Sequence, residues 1–294
     1  MKAVWKLIET CIIPILTYAG ETRTPNKTEN KAINDILDNT IKRVLMVPRT
    51  TPREAIYIET GLMDVEHTTM KNRINMDKRL SLNPESITYK AKENGTRKGW
   101  KHTTQHIKDR LDINNQGMEG TRNLVKTNVR EKIKAAFKET KETIDKNGAE
   151  KSKIQHLMNT KNNQWEPGKP APYIMELTRM QASTIFKAKT RMLHVKENYK
   201  GKYQNRPDKL KCRACGLTEE TQNHIPNECS TLHLEDSTKV SQENLKTEDV
   251  NALRTASQKI MKTIKRLEDI HKEPLKTHSQ KAKQNKDHPK PPNN

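Results

Sequence analysis

Four side chains that commonly bind transition metals lie close together in the last third of the chain. They follow the pattern C-x2-C-x8-H-x4-C, formed by Cys212, Cys215, His224 and Cys229. Three thiolates and one imidazole are an ordinary tetrahedral ligand set for Zn²⁺, and a two-residue gap lets both cysteines reach one ion from a tight turn. Gly216 follows the second cysteine, where such a turn often needs a positive φ. The spacing predicts one CCHC zinc knuckle.

The predicted zinc ion would be structural, because four protein ligands leave no coordination position for an activated water. Two other interpretations stay open: buried thiols without a ligand beside a surface histidine, and a redox Cys-x-x-Cys pair. The redox interpretation lacks the βαβ pattern that usually surrounds such a pair. Cys11 stands apart in an apolar stretch, and we do not expect it to take part.

No motif indicates that the chain is an enzyme by itself. A zinc deaminase needs His-x-Glu upstream of Pro-Cys-x-x-Cys, whereas His233-Leu-Glu235 lies downstream and Lys211 stands in the proline position. The sequence has no two adjacent aspartates, and two-metal nucleotidyl transfer needs clustered carboxylates. We therefore expect no catalytic residues, and neither polymerase nor nuclease activity. The remaining histidines, His67 among them, are expected at the surface.

The charge of the chain favours a polyanionic partner. Among 294 residues, 56 are Lys or Arg and 36 are Asp or Glu, which gives a net charge of +20. Nucleic acid is the commonest partner for such a protein. Residues 90–110, 179–211 and 271–294 hold most of the excess. Charge runs are often only solvated faces, but the second run adjoins the metal motif.

Basic and aromatic residues alternate just before the metal motif. Lysines suit phosphate contacts, and tyrosines can stack on bases, which favours single strands because paired bases hide their faces. Lys187 and Arg191, four residues apart on a predicted helix, would point to one side. The knuckle loop Leu217–Asn223 has no aromatic residue and carries Glu219 and Glu220, so we expect it to orient the basic run. Tyrosines packed into a small core are the alternative. The candidate nucleic-acid contacts are Lys187, Arg191, Lys196, Tyr199, Lys200, Lys202 and Tyr203.

Helices must position these residues, because helical periodicity dominates the sequence and the apolar content is only 31%. Apolar residues at three- and four-residue spacing predict a helix over Ala32–Val47. Thr51-Pro-Arg-Glu54 is typical of a capping box for a helix that stops at Gly61. Asp64 can cap the next helix. Similar spacing predicts further helices over residues 121–147, 182–193 and 247–270.

Two stretches of the chain carry a family resemblance. The first comprises residues 12–23 (IIPILTYAGETR), the amphipathic helix ending near Arg43, and residues 51–62 (TPREAIYIETGL). The second comprises residues 182–193 (ASTIFKAKTRML), residues 195–199 and the Cys/His motif. Together they resemble the thumb and the carboxy-terminal zinc-knuckle region of reverse transcriptases from non-long-terminal-repeat (LINE-type) retrotransposons. The resemblance covers roughly Lys6–Leu82 and Tyr173–Ser230.

The resemblance implies a helical thumb and a zinc module that hold template RNA or target DNA. The chain departs from the family in two places: no tryptophan lies near Arg23, and the aromatic-x-Asp-Asp polymerase motif is absent. It therefore looks like a nucleic-acid-binding fragment of an RNA-directed DNA polymerase that lacks the catalytic palm. Two alternatives stay open: a zinc-stapled protein–protein interaction module that uses the helix at 247–270, and a decayed retroelement copy without function.

We accordingly expect a mainly α fold with six regions. Residues 1–82 would form the thumb-like helical bundle, 83–120 a linker or weakly ordered insertion, and 121–172 a helical segment with a proline-rich boundary. Residues 173–235 would hold the basic helix and the zinc knuckle, 236–270 a further amphipathic helix, and 271–294 a disordered basic tail.

The expected location is intracellular, nuclear or cytoplasmic, without a membrane partner. No run of 18 apolar residues occurs, so no transmembrane helix is expected. The first residues loosely imitate a signal peptide, but Glu9 and Pro14 interrupt its apolar region. RNA or DNA preference, target sequence and oligomeric state stay open.

Overall fold

The computed structural model describes residues 1–22, 26–94, 99–113, 129–135, 166–198, 207–232 and 240–284, together with Thr127, Lys138 and Leu157. The chain divides into two compact units, Met1–Arg179 and Met180–Asn294. Over these described ranges the fold is mainly helical and contains no strand, and Lys211 and Glu219 form an isolated antiparallel bridge. The expectation of a mainly α protein is confirmed.

Eight helices of the first unit have both ends among the described residues, and residues 129–135 are helical as well. The eight helices are α1 Lys2–Leu7, α2 Ile13–Leu16, α3 Lys27–Val44, α4 Arg53–Thr60, α5 Val65–Ser81, α6 Ile87–Glu93, α7 Trp100–Arg110 and α8 Pro172–Glu176, and a π-helical turn, Ile8–Ile12, joins α1 to α2.

The helix ends of α3, α4 and α5 follow local capping rules, with two differences from the sequence-based expectation. Helix α3 begins earlier than predicted because Asn26 and Glu29 form a capping box, each side chain accepting from the other's backbone N–H. Helix α4 ends at Gly61, with φ +65°, as predicted. It has no side-chain cap, because the hydroxyl of Thr51 donates to the Pro48 carbonyl instead.

Asp64 caps α5 by accepting a 3.0 Å hydrogen bond from the His67 N–H, as predicted. The imidazole Nδ1 of His67 also lies 2.7 Å from Asp64 Oδ1, and this side chain is buried. The expectation of a surface position for His67 is therefore wrong. The cap draws the ring inward, because the carboxylate can bind the backbone and the imidazole together.

The described part of residues 83–120 differs from the linker that the sequence suggested. It forms α6 and α7, and Ile107, Leu111 and Ile113 are buried with apolar side chains of α5 and of residues 129–133. Asp77 of α5 accepts hydrogen bonds from Lys92 of α6 and Lys108 of α7. Tertiary contacts stabilise both helices. Because the two segments are short and polar, their sequences show no helical periodicity from which the helices could be predicted.

The proline-rich stretch before α8 is part of the first unit. Gly168 donates to the Gly61 carbonyl at 2.6 Å, and Ala171 donates to the Glu59 carbonyl at 2.8 Å. Tyr173 and Ile174 are buried, and the unit ends at Arg179. The boundary expected between residues 172 and 173 is therefore displaced.

Most of the helix predicted at 121–147 lies outside the described residues, although Val129 and Ile133 are fully buried.

The second unit is built around a long helix. Its described elements are α9, which begins at the boundary residue (Arg179–Lys189), a 3-10 turn at Pro207–Leu210, α10 His224–Asn227, α11 Gln242–Lys246 and α12 Val250–Gln284. Helix α12 packs on α10 and α11, and buries Leu253, Ile260 and Leu267.

Helix α12 continues past the predicted end at residue 270 into the tail that was expected to be disordered. Lys, Gln and Ala there are good helix formers that can extend a packed helix. Residues 285–294 lie outside the described part.

No helix among the described residues is both long enough and apolar enough to cross a membrane.

Candidate metal centre and basic segment

The structure brings the four predicted metal ligands together. One ligand atom from each of Cys212, Cys215, His224 and Cys229 lies within 4.8 Å of the others. The sulfurs of Cys212 and Cys229 are 3.8 Å apart, and Cys215 Sγ is 3.4 Å from His224 Nε2. Tetrahedral bonds of about 2.3 Å to sulfur and 2.0 Å to nitrogen give edges of about 3.8 and 3.5 Å. The cluster can hold one metal ion.

A tight turn presents the first two cysteines. The N–H of Gly216 donates to the Cys212 carbonyl at 2.9 Å, and the N–H of Ala214 lies 3.4 Å from Cys212 Sγ. Gly216 has φ +69° and open space where a Cβ would stand. Its positive φ agrees with the sequence-based expectation. Backbone geometry alone therefore favours glycine at this position.

The short helix α10 presents the other two ligands. Thr221 Oγ1 accepts from the His224 N–H at 2.9 Å, which fixes the start of the helix. The Cys229 N–H donates to the His224 carbonyl at 2.9 Å just after the helix ends. Cys212, His224 and Cys229 are buried, whereas Cys215 is half-buried. The centre is therefore shielded on the side of α10 and open at Cys215.

The thiols of the first two cysteines differ in acidity without a metal. Burial raises the pKa of Cys212 to about 11. Burial acts in the same direction on Cys215, but hydrogen bonds from the Leu217 and Thr218 N–H groups and from His224 outweigh it and lower the pKa to about 6. A bound metal would favour the thiolate at every cysteine ligand, because only the thiolate coordinates.

A buried carboxylate joins the Cys/His cluster to the basic segment that precedes it. The side chain of Glu220 is fully buried and forms an ion pair with Arg213, with Oε1 2.6 Å from Nη2 and Oε2 2.8 Å from Nε. The same carboxylate accepts from the Arg213 N–H at 3.1 Å and from the Lys196 N–H at 3.0 Å. These bonds lower the pKa of Glu220 against the effect of its burial. Glu220 therefore holds the backbone of Lys196 beside the Cys/His cluster.

A second set of bonds ties the loop to the end of α9. Gln222 Nε2 donates to the Ala188 carbonyl at 3.1 Å, and the Gln222 N–H donates to Glu197 Oε2 at 2.9 Å. Asn198 Nδ2 donates to Gln222 Oε1 at 3.0 Å. These contacts hold residues 197 and 198, at the start of the basic run, against the loop Leu217–Asn223. From the sequence, Glu220 was named only as an acidic residue of the loop, and the contacts of Gln222, Glu197 and Asn198 were missed, because nothing in their spacing marks them.

Three of the seven predicted nucleic-acid contacts lie among the described residues. Lys187 is half-buried, and burial lowers its pKa. Arg191 is exposed and lies 3.6 Å from Glu197. The ammonium of Lys196 donates to the Lys211 carbonyl at 2.7 Å. The other four lie outside the described residues: Tyr199, Lys200, Lys202 and Tyr203.

The predicted alignment of Lys187 and Arg191 on one helix face is wrong. Helix α9 ends at Lys189, and Arg191 has φ +51°. The Met192 N–H donates to the Lys187 carbonyl at 2.7 Å and the Arg191 N–H to the Ala188 carbonyl at 3.3 Å. This is a Schellman motif with arginine at the left-handed position that glycine usually occupies. The helical spacing therefore stops before Arg191.

Comparison with known protein families, with curated proteins and with solved structures finds no match to this chain.

Proposed function

We propose that the chain binds single-stranded nucleic acid through the basic segment 187–203, which a structural zinc site holds in place. The observation that supports this best is the set of bonds from Glu220 to Arg213 of the knuckle and to the backbone of Lys196. A net charge of +20 supplies the attraction to a polyanion. Tyr199 and Tyr203 interleave with the lysines and would stack on exposed bases.

Zinc is the metal that the ligand set fits best. Three thiolates and one imidazole in a tetrahedral arrangement are typical of structural zinc and leave no open position for catalysis. Metal binding would supply much of the folding free energy of the small module. The ion would thus act on nucleic acid only through the segment that the module positions.

The family resemblance gives this binding a context. The segments that resemble a LINE-type reverse transcriptase include α4 with Gly61, and α9 with the Cys/His motif. We infer that the chain is a thumb and zinc-knuckle fragment of such an RNA-directed DNA polymerase, without the catalytic palm. Its own contribution would be to hold template RNA or target DNA.

The alternative, a protein-interaction module, requires the apolar face of the last helix, α12, to be available to a partner. Leu253, Ala256, Ile260 and Leu267 on that face are buried, and α12 packs on α10 and α11 of the same unit. That surface is already covered, which favours nucleic acid over a partner helix.

The binding proposal is tested by titrating fluorescent single-stranded RNA and DNA with the full chain at low and moderate salt. One variant replaces Lys200 and Lys202 with alanine, and another replaces Tyr199 and Tyr203. We expect each to weaken binding at least about fivefold, since stacking alone is worth roughly 1–3 kcal/mol per base. The matched control replaces Lys262 and Lys265, two exposed lysines of α12, and should change affinity less than about twofold.

Unchanged affinity in both variants, with zinc content intact, would contradict the assignment of this segment. The metal is tested separately by native mass spectrometry. The full chain should carry one zinc ion, and the double variant Cys212→Ser, Cys215→Ser should carry none. Cys11→Ser is the control, because Cys11 is exposed and outside the cluster.

A further inference from the structure

The first unit contains a cavity of about 200 Å³ that the proposed function does not use. Helices α3, α5 and α7 and the turn after α2 surround it, and Met70 and Ile107 contribute apolar surface. The volume is enough for a tetrahedral anion with part of its hydration shell. The polar residues of its lining indicate which ligand it suits.

Two arginines line the cavity. Arg73 is only 3% exposed and lies over the ring of Trp100, 5.5 Å from its centroid. This burial removes much of the hydration of the guanidinium and so lowers the pKa of Arg73. Arg110 stands on α7 and is half-exposed. A guanidinium offers several N–H donors in one plane and binds phosphate oxygens in pairs.

Other polar side chains complete the lining. Asn30, Thr103 and His106 line the cavity as well, and the Thr103 hydroxyl donates to the Gly99 carbonyl at 3.1 Å. The Oδ1 atom of Asn30 is buried and accepts no hydrogen bond among the described residues. Because the two ends of an amide exchange places by rotation, Asn30 can present its NH₂ group to an anion or its oxygen to a P–OH group.

Among the described residues of the lining, Glu66 is the one that opposes an anion. Its Oε1 atom lies 4.0 Å from Arg110 Nη1, and both side chains are nearly half-exposed. Such an exposed ion pair contributes little, so an anion with two hydrogen bonds to Arg110 can displace it. Removing this carboxylate should then strengthen anion binding, whereas removing an arginine should weaken it.

We propose that this cavity binds a phosphate group, held by Arg73 and Arg110 with Asn30 and His106 as further polar partners. The ligand is either free phosphate or a phosphodiester of a nucleic acid strand, since both offer the same oxygens to the guanidinium groups. The inference does not rest on the function proposed above, because its residues all belong to the first unit and its probe is inorganic phosphate.

The test follows the indole ¹H–¹⁵N signal of Trp100 in the full chain, assigned with Trp100→Phe. Sodium phosphate is titrated against sodium chloride at equal ionic strength. We expect a saturable shift with phosphate only. Arg110→Gln should weaken it at least about fivefold, because a charge-assisted hydrogen bond is lost. Glu66→Gln should strengthen it about twofold, because a like charge is removed. Arg79→Gln, an exposed arginine on α5, should leave it unchanged.

A second titration uses the oligonucleotide dT₅ in phosphate-free buffer. A matching shift of the Trp100 signal, weakened in Arg110→Gln, identifies the phosphodiester as a ligand. No shift with dT₅ beside a saturable shift with phosphate identifies free phosphate. Equal responses to phosphate and chloride, or one affinity for wild type, Arg110→Gln and Glu66→Gln, would overturn the proposal. If Arg110→Gln fails to fold, Glu66→Gln decides the proposal by itself. A phosphate affinity above that of the wild type supports the proposal, and an unchanged affinity overturns it.

Discussion

Glu220 illustrates how a single buried side chain links the metal cluster to the segment that precedes it. Its carboxylate accepts bonds from Arg213 and from the Lys196 backbone while its side chain is fully removed from water. Isolated buried charge is costly, so such a group stabilises a fold only while its partners stay in place. The residue therefore acts as a structural link whose loss should affect both sides.

We predict that Glu220→Gln lowers the free energy of unfolding of the second unit by about 2–4 kcal/mol, because Arg213 is left without its counter-charge. Amide exchange at residues 194–198 and 212–216 should accelerate. Glu219→Gln is the matched control, since Glu219 is exposed. Hydrogen exchange detected by mass spectrometry measures both variants, and equal protection in both would argue against the link.

At the scale of residues, the metal-ligand spacing and the helix cap at Asp64 could be predicted, because each depends on a short local pattern. The ligand spacing, the positive φ of Gly216 and the cap at Asp64 are local in this sense. The capping box expected at Thr51 was wrong, because its hydroxyl donates to the Pro48 carbonyl. Glu197 and Gln222 could not be predicted, because their partners lie 25 and 34 residues away. The left-handed Arg191 was missed for a different reason: glycine normally marks that position.

At the scale of elements, three helices end in the same way with a residue other than glycine. Met46 after α3, Asp112 after α7 and Arg191 after α9 all have φ near +50°. The residue after each donates to a carbonyl five positions earlier. A left-handed conformation costs most residues roughly 1–2 kcal/mol. These ends were not predicted from sequence, since the hydrogen bonds and not the residue type specify them.

We predict that Arg191→Gly separates stability from nucleic-acid binding. Glycine removes the energetic cost of the left-handed conformation. It also increases the conformational entropy of the unfolded chain, which lowers the stability by about 0.4–1 kcal/mol. The net stability should therefore rise by about 0.5 kcal/mol or stay unchanged. Affinity for single strands should fall, because a charge in the proposed segment is lost. Met46→Gly makes the same backbone change in the first unit and should leave binding intact. Loss of affinity in both variants would contradict this separation.

The ion pairs of Asp77 should make the packing of α5 with α6 and α7 depend on pH. Burial would raise its pKa, but hydrogen bonds from Lys108 and Lys92 lower it below the ordinary value of 3.8. A pKa lowered by folding stabilises the protein above the unfolded value, and this stabilisation disappears as the pH falls through the folded value.

We predict that Asp77→Asn lowers the stability of the first unit by about 3 kcal/mol near neutral pH. The difference from wild type should stay constant down to about pH 5 and shrink below about pH 4. Urea unfolding followed by circular dichroism at several pH values measures it. Asp109→Asn, a change at an aspartate of α7 outside this ion-pair network, is the control. A difference that persists undiminished at low pH would exclude this electrostatic origin.

On the scale of the whole molecule, the two units should respond separately to metal removal. The Cys/His cluster lies entirely in the second unit. We predict that a zinc chelator lowers the protection of amides in α9, α10 and the first turns of α12, because the ion supplies folding free energy there. Amides of α3, α4 and α5 should keep their exchange rates. Equal loss in both units would show that they unfold together.

The contacts of residues 166–179 with α3 and α4 have a consequence for synthesis of the chain on the ribosome. Arg179 donates hydrogen bonds to the carbonyls of Arg43 and Val44, 135 or more residues earlier in the chain. At about 5–20 residues per second, α3 would leave the ribosome on the order of ten seconds before this partner is made. During that interval the helix ends that these residues later cover are open to chaperones. Translation speed between codons 44 and 179 should therefore influence the yield of the native first unit.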